Sequence, residues 1–112
     1  MSQITTHILD TTKGKPVAGV TIILYRGEND EWTELKRGKT NNDGRITDLL
    51  SRDSLLQRGI YKLRFETKDY FDQIQTPTFY PFVEISFDIQ SSEHYHIPLL
   101  LNSFGYTTYR GS

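Results

Sequence analysis

The feature that most constrains the fold of this chain is a strict alternation of apolar and polar side chains. In the segment 83–90, Val, Ile, Phe and Ile occupy every second position, with Glu, Ser, Asp and Gln between them. Successive side chains of a β-strand point to opposite faces, so such a segment can bury one face and leave the other in water. The same period of two recurs at Tyr61, Leu63 and Phe65. We therefore expect a sheet with one buried face.

Turn signals separate several further segments that have strand character. We predict additional strands in the ranges 4–10, 17–25, 31–39, 95–101 and 105–110. The run 41–44, Asn-Asn-Asp-Gly, is a strong tight-turn signal, because these residues tolerate positive φ. Residues 67–74 form the one plausible helix, with Thr67 or Asp69 as its N-cap, whereas 49–57 favours no element. Seven or eight short strands with one short helix predict an all-β fold, an antiparallel β-sandwich.

Length and charge limit the kind of protein that this chain can be. With 112 residues, we predict a single domain over residues 1–112, because this length buries one core but not two. A net charge of −1 gives no electrostatic reason to expect nucleic acid or an anionic membrane as partner. The sequence has no apolar run near the roughly 20 residues of a membrane span, and its start lacks a secretory layout. The absence of cysteine excludes disulfides and thiolate sites, and a cytoplasmic location is the default expectation.

Three histidines are the first candidates for chemistry. His7 lies in the first predicted strand, and His94 and His96 lie two apart at the start of the predicted strand 95–101, which places that pair on one face. Histidine exchanges protons near neutral pH, so a pair facing a common cleft could activate water. For any single histidine, a surface position without a chemical role is the alternative. A zinc site from Glu93, His94 and His96 is another, but His-x-His alone is a weak motif and we predict no metal.

Two arginines are the candidate cations. Arg45 directly follows the tight turn, where its fork of donors suits a carbonyl or a delocalised anion, and a solvated turn cation is the alternative. Arg110 lies in the final segment 109–112, where a salt bridge of the tail is the alternative. The sequence contains neither Gly-x-Ser-x-Gly nor a Gly-rich phosphate loop. A hydrolase built from these residues would therefore use activated water rather than a covalent intermediate.

Taken together, segments along the whole chain resemble the transthyretin-like (prealbumin-like) family, and within it the 5-hydroxyisourate hydrolase branch. The matching segments are 6–10, 14–20, 40–45, 59–63, 79–81 and 95–112. The patterns Gly-x-Pro-x-x-Gly-Val and Asn-x-Asp-Gly-Arg recur in many sandwich modules and indicate the fold. The ending Tyr-Arg-Gly-Ser, together with His7, Arg45 and His96, is similar to the signature of the enzyme branch.

The resemblance implies a set of catalytic and substrate-binding residues in one cleft. The catalytic residues would be His7, Arg45, His96 and Ser112, and the substrate-binding residues Tyr109, Arg110 and Gly111. The implied reaction is the hydrolysis of 5-hydroxyisourate to 2-oxo-4-hydroxy-4-carboxy-5-ureidoimidazoline, between urate and allantoin, without metal or organic cofactor. The implied assembly is a homotetramer, a dimer of dimers, with active sites where the dimers meet.

The chemistry of these residue types fits that reaction. His7 and His96 would deprotonate a water that attacks a ring carbonyl, and Arg45 would stabilise charge on the tetrahedral intermediate. Ser112, by its hydroxyl or a terminal carboxylate, would orient substrate or relay a proton to the departing nitrogen. Which histidine is the base stays open, and His94 matches no catalytic position of the family. The alternatives are a transthyretin-like protein that binds a small aromatic ligand without turnover, and a structural sandwich module.

Overall fold

The computed structural model describes residues 2–112, which form two packed sheets and one short helix. The elements are β1 (Ile4–Asp10), β2 (Lys15–Pro16), β3 (Thr21–Glu28), β4 (Glu31–Lys39), β5 (Arg45–Ile46), β6 (Gly59–Phe65), α1 (Thr67–Gln73), β7 (Val83–Ile89), β8 (Tyr95–Asn102) and β9 (Gly105–Thr108). One sheet has the order β2-β1-β8-β9, with β5 also paired to β1. The other has the order β4-β3-β6-β7. No helix within residues 2–112 is long and apolar enough to cross a membrane.

The predicted β-sandwich is confirmed, with one pair of strands that departs from the antiparallel rule. β1 and β8 run parallel along their whole length, from Ile4 opposite Tyr95 to Asp10 opposite Leu101. A parallel pair cannot be joined by a tight hairpin. Here the entire second sheet lies between the two strands in the chain, and this long connection allows the parallel direction.

The core lies between the inner faces of the two sheets. Ile4 and Ile8 of β1 point into it, as does Leu99 of β8, and all three are fully buried. Tyr61, Leu63 and Phe65 of β6 are also buried, as their alternation predicts. Because side chains alternate along a strand, Thr5 and His7 lie on the outer face of the β1 sheet. That outer face carries the candidate site.

The predicted ranges of two strands are wrong. The strand predicted over 17–25 spans Thr21–Glu28; it begins later because Gly19 has a φ of +75° and turns the chain before β3. Val17 and Val20 are buried all the same, which explains their apolar character without a strand. The last strand, predicted to reach residue 110, ends at Thr108.

The helix prediction is confirmed in position but not in its cap. α1 spans Thr67–Gln73, and its N-cap is Glu66, which makes no side-chain capping hydrogen bond. Neither Thr67 nor Asp69 is the cap. The Thr67 side chain is fully buried and its hydroxyl oxygen has no hydrogen-bond partner among the described residues. Burial of Thr67 and Phe71 against the core, rather than capping, thus determines where the helix begins.

Candidate active site

A cavity of about 150 Å³ opens on the outer face of the β1 sheet. Its lining residues are Thr5, Thr6, Arg45, Thr47, His94, His96 and Ser112. Three of the four residues predicted as catalytic, Arg45, His96 and Ser112, are therefore brought together around one space. None of the lining side chains is a carboxylate, and Arg45 is the lining side chain with a permanent positive charge.

The tight turn before β5 fixes the direction of Arg45. The side-chain Oδ1 of Asn41 accepts hydrogen bonds from the backbone N–H groups of Asp43 (2.9 Å) and Arg45 (3.1 Å). Gly44 has a φ of +71°, and a Cβ there would lie 2.5 Å from the carbonyl oxygen of Ile8. The Ile8 N–H in turn donates to the Gly44 carbonyl over 2.8 Å, which docks the turn on β1. Arg45 then pairs with His7 in the β1–β5 register.

His7 lies beside this cavity, on the same face of β1 as Thr5, but is not among the residues that line it. Its neighbours are Arg45 on β5 and Pro98 on β8. Burial lowers the pKa of His7, the positive charge of Arg45 lowers it further, and a hydrogen bond to the Asp43 backbone partly opposes both. The His7 imidazole is therefore predominantly neutral at pH 7.

His96 is the most enclosed of the three histidines. It sits opposite Thr5 on β1, and its Nδ1 lies 2.8 Å from the Thr5 hydroxyl oxygen. Burial lowers the pKa of His96, followed by the positive charge of Arg45 and by His94 and His7, while a hydrogen bond to the Thr5 backbone raises it. A neutral imidazole that points one nitrogen at a cavity can accept a proton there.

The end of the chain approaches His96 from the side opposite β1. Gly111 forms an isolated antiparallel bridge to His96, and its N–H donates to the His96 carbonyl over 2.8 Å. A Cβ on Gly111 would lie 2.5 Å from Cδ2 of the His96 ring, so only glycine allows this approach. The bridge brings the next residue, Ser112, to the cavity.

Tyr109 and Arg110 lie away from the cavity that His96 lines. Both line a second cavity of about 330 Å³, between β7 and the β8–β9 pair. The Arg110 guanidinium forms an ion pair with Glu93 and stacks 4.4 Å from the centroid of the Tyr95 ring. Of the predicted substrate-binding residues, the structure thus brings only Gly111 against a predicted catalytic side chain.

Three lining residues had no role in the sequence analysis: Thr5, Thr6 and Thr47. Thr5 contacts both His94 and His96 through its hydroxyl, and the His94 and His96 rings stack with centroids 6.3 Å apart. The shared face of His94 and His96 is confirmed. The alternation that placed Thr5 on the face of His7 was a usable signal for Thr5, but its contacts depend on the distant strand β8.

The zinc alternative finds no ligand cluster. Within residues 2–112, no group of three or more His, Asp or Glu side chains could hold a metal ion. Glu93, the third ligand in that hypothesis, directs its carboxylate to Arg110 instead.

Comparison with known proteins agrees with this fold. The HIUase/Transthyretin family model matches residues 4–111. The 5-hydroxyisourate hydrolase of Mus musculus is 44% identical over 114 residues, which cover 99% of this chain and 96% of that protein.

Two solved structures are also similar. The Klebsiella pneumoniae 5-hydroxyisourate hydrolase has a TM-score of 0.85 and 36% identity, with 97% of this chain and 98% of that chain covered. Sea bream transthyretin in complex with thyroxine has a TM-score of 0.91 and 30% identity, with 98% and 95% covered. The family prediction from sequence is thus confirmed: the chain belongs to the HIUase/transthyretin family.

Proposed function

We propose that residues 1–112 form one hydrolase domain that converts 5-hydroxyisourate to 2-oxo-4-hydroxy-4-carboxy-5-ureidoimidazoline, between urate and allantoin. The observation that carries this proposal is the meeting of Arg45, His96 and Ser112 around one cavity, with His7 alongside. The relatives named 5-hydroxyisourate hydrolase, at 44% and 36% identity over nearly the whole chain, support it.

The first step in the proposed reaction is the activation of water by a histidine. Both His7 and His96 have a pKa below the usual histidine value, so each is predominantly neutral at pH 7 and able to accept a proton. One of them takes a proton from water as the water oxygen bonds to a ring carbonyl carbon. The C–N bond beside that carbon then breaks, and the departing nitrogen receives a proton.

Arg45 and Ser112 act on the substrate side of this reaction. The guanidinium of Arg45 offers a planar set of donors to the carbonyl oxygen that becomes negative in the tetrahedral intermediate. Ser112 orients the substrate or relays the proton to the departing nitrogen.

The proposed assembly is a homotetramer, a dimer of dimers, with the cavity in the cleft where dimers meet. The position of the cavity on an outer sheet face supports this, because a facing subunit would exclude water and strengthen the electrostatic contacts. Tyr109, Arg110 and Gly111 are the proposed substrate-binding residues of the assembled cleft. Within a single chain, Gly111 contacts His96, whereas Tyr109 and Arg110 line the second cavity. Native mass spectrometry tests the assembly, and a strictly monomeric protein with full activity would contradict it.

An assay of turnover tests the reaction. We would generate 5-hydroxyisourate from urate with urate oxidase and follow its decay by ultraviolet absorbance. The protein should accelerate the decay above the spontaneous rate. His96→Asn should reduce kcat/KM by about 10²–10⁴-fold with an unchanged β-sheet circular dichroism spectrum. A wild-type protein that leaves the decay rate unaltered would refute the proposed reaction.

A non-catalytic binding protein is the second candidate, favoured by the likeness to sea bream transthyretin in complex with thyroxine. The two candidates differ in one result. A binding protein would show saturable affinity for a thyroxine-like or purine-like ligand in calorimetry and no acceleration of 5-hydroxyisourate decay. The histidines and Arg45 around the cavity favour turnover, because an aromatic ligand needs no proton acceptor.

A further inference from the structure

A single hydroxyl joins two of the histidines beside the cavity. The Oγ1 atom of Thr5 lies 2.8 Å from Nε2 of His94 and 2.8 Å from Nδ1 of His96. Thr5 is only 3% exposed, so these two rings, rather than water, satisfy its hydroxyl. The β1–β8 register places Thr5 directly opposite His96, and the backbone pairing holds the contact in place.

The hydrogen atoms in this chain of contacts are interdependent. A hydroxyl has one hydrogen to donate and can accept through its lone pairs. If Thr5 donates to Nε2 of His94, then His96 must donate its Nδ1–H to the Thr5 oxygen. If Thr5 donates to His96 instead, His94 must carry the hydrogen on Nε2.

A base that serves the cavity requires the first arrangement. Nδ1 of His96 is held against the buried Thr5 hydroxyl, so Nε2 is the ring nitrogen left to meet a molecule in the cavity that His96 lines. Only a neutral ring with its proton on Nδ1 has a lone pair on Nε2, which is bonded to Cδ2, the atom that Gly111 approaches.

We propose that Thr5 and His94 are positioning residues that hold His96 in the tautomer with its proton on Nδ1, so that Nε2 of His96 is the general base. This inference rests on the proposed hydrolase activity and assigns the base between His7 and His96. In the catalytic step, the water proton moves to Nε2 while the Nδ1 proton remains in its hydrogen bond to Thr5. The resulting imidazolium returns the Nε2 proton when the C–N bond breaks.

Other charged groups face the two rings. His96 faces Arg45 on β5, His7 on β1 and His94. His94 is exposed and also lines a cavity of about 220 Å³ with Arg52, which connects it to solvent. The neighbouring carboxylate of Glu93 is paired with Arg110.

Substitution of Thr5 tests the hydroxyl. Thr5→Val keeps the shape of the side chain and should lower kcat by about 10–100-fold with KM within about threefold. Thr5→Ser retains the hydroxyl and should recover most of that loss. Thr11→Val, which removes a threonine hydroxyl that donates to the Leu101 carbonyl outside the cavity, is the matched control. Equal activity of Thr5→Val and wild type would overturn the proposal, as would an equal loss in Thr5→Ser.

Substitution of His94 tests the acceptor of the Thr5 hydroxyl hydrogen. The Oε1 atom of His94→Gln can accept from Thr5, whereas the side chain of His94→Leu cannot, so kcat of His94→Gln should remain above that of His94→Leu. Equal kcat in the two variants would overturn the role of His94.

A measurement that needs no turnover separates this inference from the proposed function. Nitrogen-15 spectra of the full-length protein in alkaline buffer, where the imidazoles are neutral, report the tautomer of each histidine. We expect His96 with its proton on Nδ1 in wild type, and a mixture of tautomers in Thr5→Val. A wild-type His96 with its proton on Nε2 would overturn the proposal even if the enzyme is active. An inactive wild type with the Nδ1 tautomer would refute the reaction and leave the hydrogen-bond arrangement standing.

Discussion

Gly111 and His96 touch through both backbone and side chain. The Gly111 N–H donates to the His96 carbonyl over 2.8 Å, and a Cβ on Gly111 would lie 2.5 Å from Cδ2 of the imidazole. The tail therefore fixes both the strand position and the ring position of His96, and it does so only because residue 111 has no side chain.

Gly111→Ala should separate activity from folding. The added methyl must displace the His96 ring, and a misplaced base of this kind lowers kcat/KM by about 10–100-fold. Urea unfolding should change little, because the contact lies at the end of the chain. Gly105→Ala is the matched control, since a Cβ there would meet its nearest atom at an ordinary 3.7 Å. Equal activity in the two variants would show that the tail does not position His96.

Arg45→Gln should weaken turnover and also alter its pH dependence. Loss of the guanidinium removes stabilisation of the tetrahedral intermediate, with an expected decrease in kcat/KM of about 10²–10⁴-fold. The positive charge of Arg45 also lowers the pKa of both His7 and His96. Without it, both pKa values rise and the acid limb of residual activity moves to higher pH. The exposed Arg58 provides the control variant Arg58→Gln, and near-normal turnover in Arg45→Gln would remove Arg45 from the catalytic set.

The lowered pKa values of His7 and His96 predict how stability depends on pH. Burial makes protonation of either ring less favourable in the folded protein than in the unfolded chain. The unfolded chain therefore binds more protons just below the usual histidine pKa of about 6.5. The stability contributed by the two histidines is complete above that pH and is lost as the pH falls through their folded values.

Urea titrations between about pH 5 and 8 measure this effect. As the pH is lowered, the free energy of unfolding should decrease more steeply in wild type than in the double variant His7→Gln/His96→Gln. Carboxylates contribute to both proteins alike, so the difference between the two curves isolates the histidines. Parallel curves would mean that the folded pKa values of His7 and His96 are not lowered.

Strand limits were predicted well where neighbouring residues along the chain define them. β1 (Ile4–Asp10) and β4 (Glu31–Lys39) have their predicted limits, because alternation and flanking turns define them. The parallel pairing of β1 with β8 could not be predicted, since it depends on contacts about 90 positions apart along the chain. The β-branched residues before Thr21 are typical of a strand, but the chain turns at Gly19, which has a left-handed conformation.

For the candidate site, residue types were predictable and neighbours were not. The resemblance to the family indicated four catalytic residues, His7, Arg45, His96 and Ser112. The last three of these line one cavity. The contact of Thr5 with His94 and His96 arises from strand pairing across the sheet. The Arg110 side chain contacts Glu93 and Tyr95 rather than His96. Strand alternation could not predict this direction, because β9 ends at Thr108.

A stability prediction concerns the opposite end of β1. The Tyr70 hydroxyl of α1 donates to Oδ2 of the buried Asp10 over 2.6 Å, while Oδ1 accepts from the backbone N–H groups of Thr12 and Lys13. Burial, and then the Asp10 carboxylate, raise the pKa of Tyr70. Tyr70→Phe leaves part of a buried carboxylate unsatisfied and should reduce the free energy of unfolding by about 1–3 kcal/mol.

Urea unfolding of Tyr70→Phe measures this loss, and turnover provides a second readout. Activity should be unchanged, because Asp10 lies at the opposite end of β1 from Thr5 and does not line the cavity. The control is Tyr106→Phe, at an exposed tyrosine of β9. Equal stability of the two variants would show that the bond between helix and strand contributes nothing measurable.

Removal of residues 109–112 tests whether the tail acts in the chemistry or only completes a strand. The deletion removes the Gly111 bridge and Ser112 but no residue of the core, so the protein should fold with a native circular dichroism spectrum. Turnover should fall by about 10²-fold or more, because His96 loses its support and the cavity loses a wall. Ser112→Ala divides the effect, since it keeps the backbone bridge and removes one hydroxyl. A loss in the deletion without a loss in Ser112→Ala would assign the role to Gly111 and His96, and full activity of the deletion would exclude the tail from catalysis.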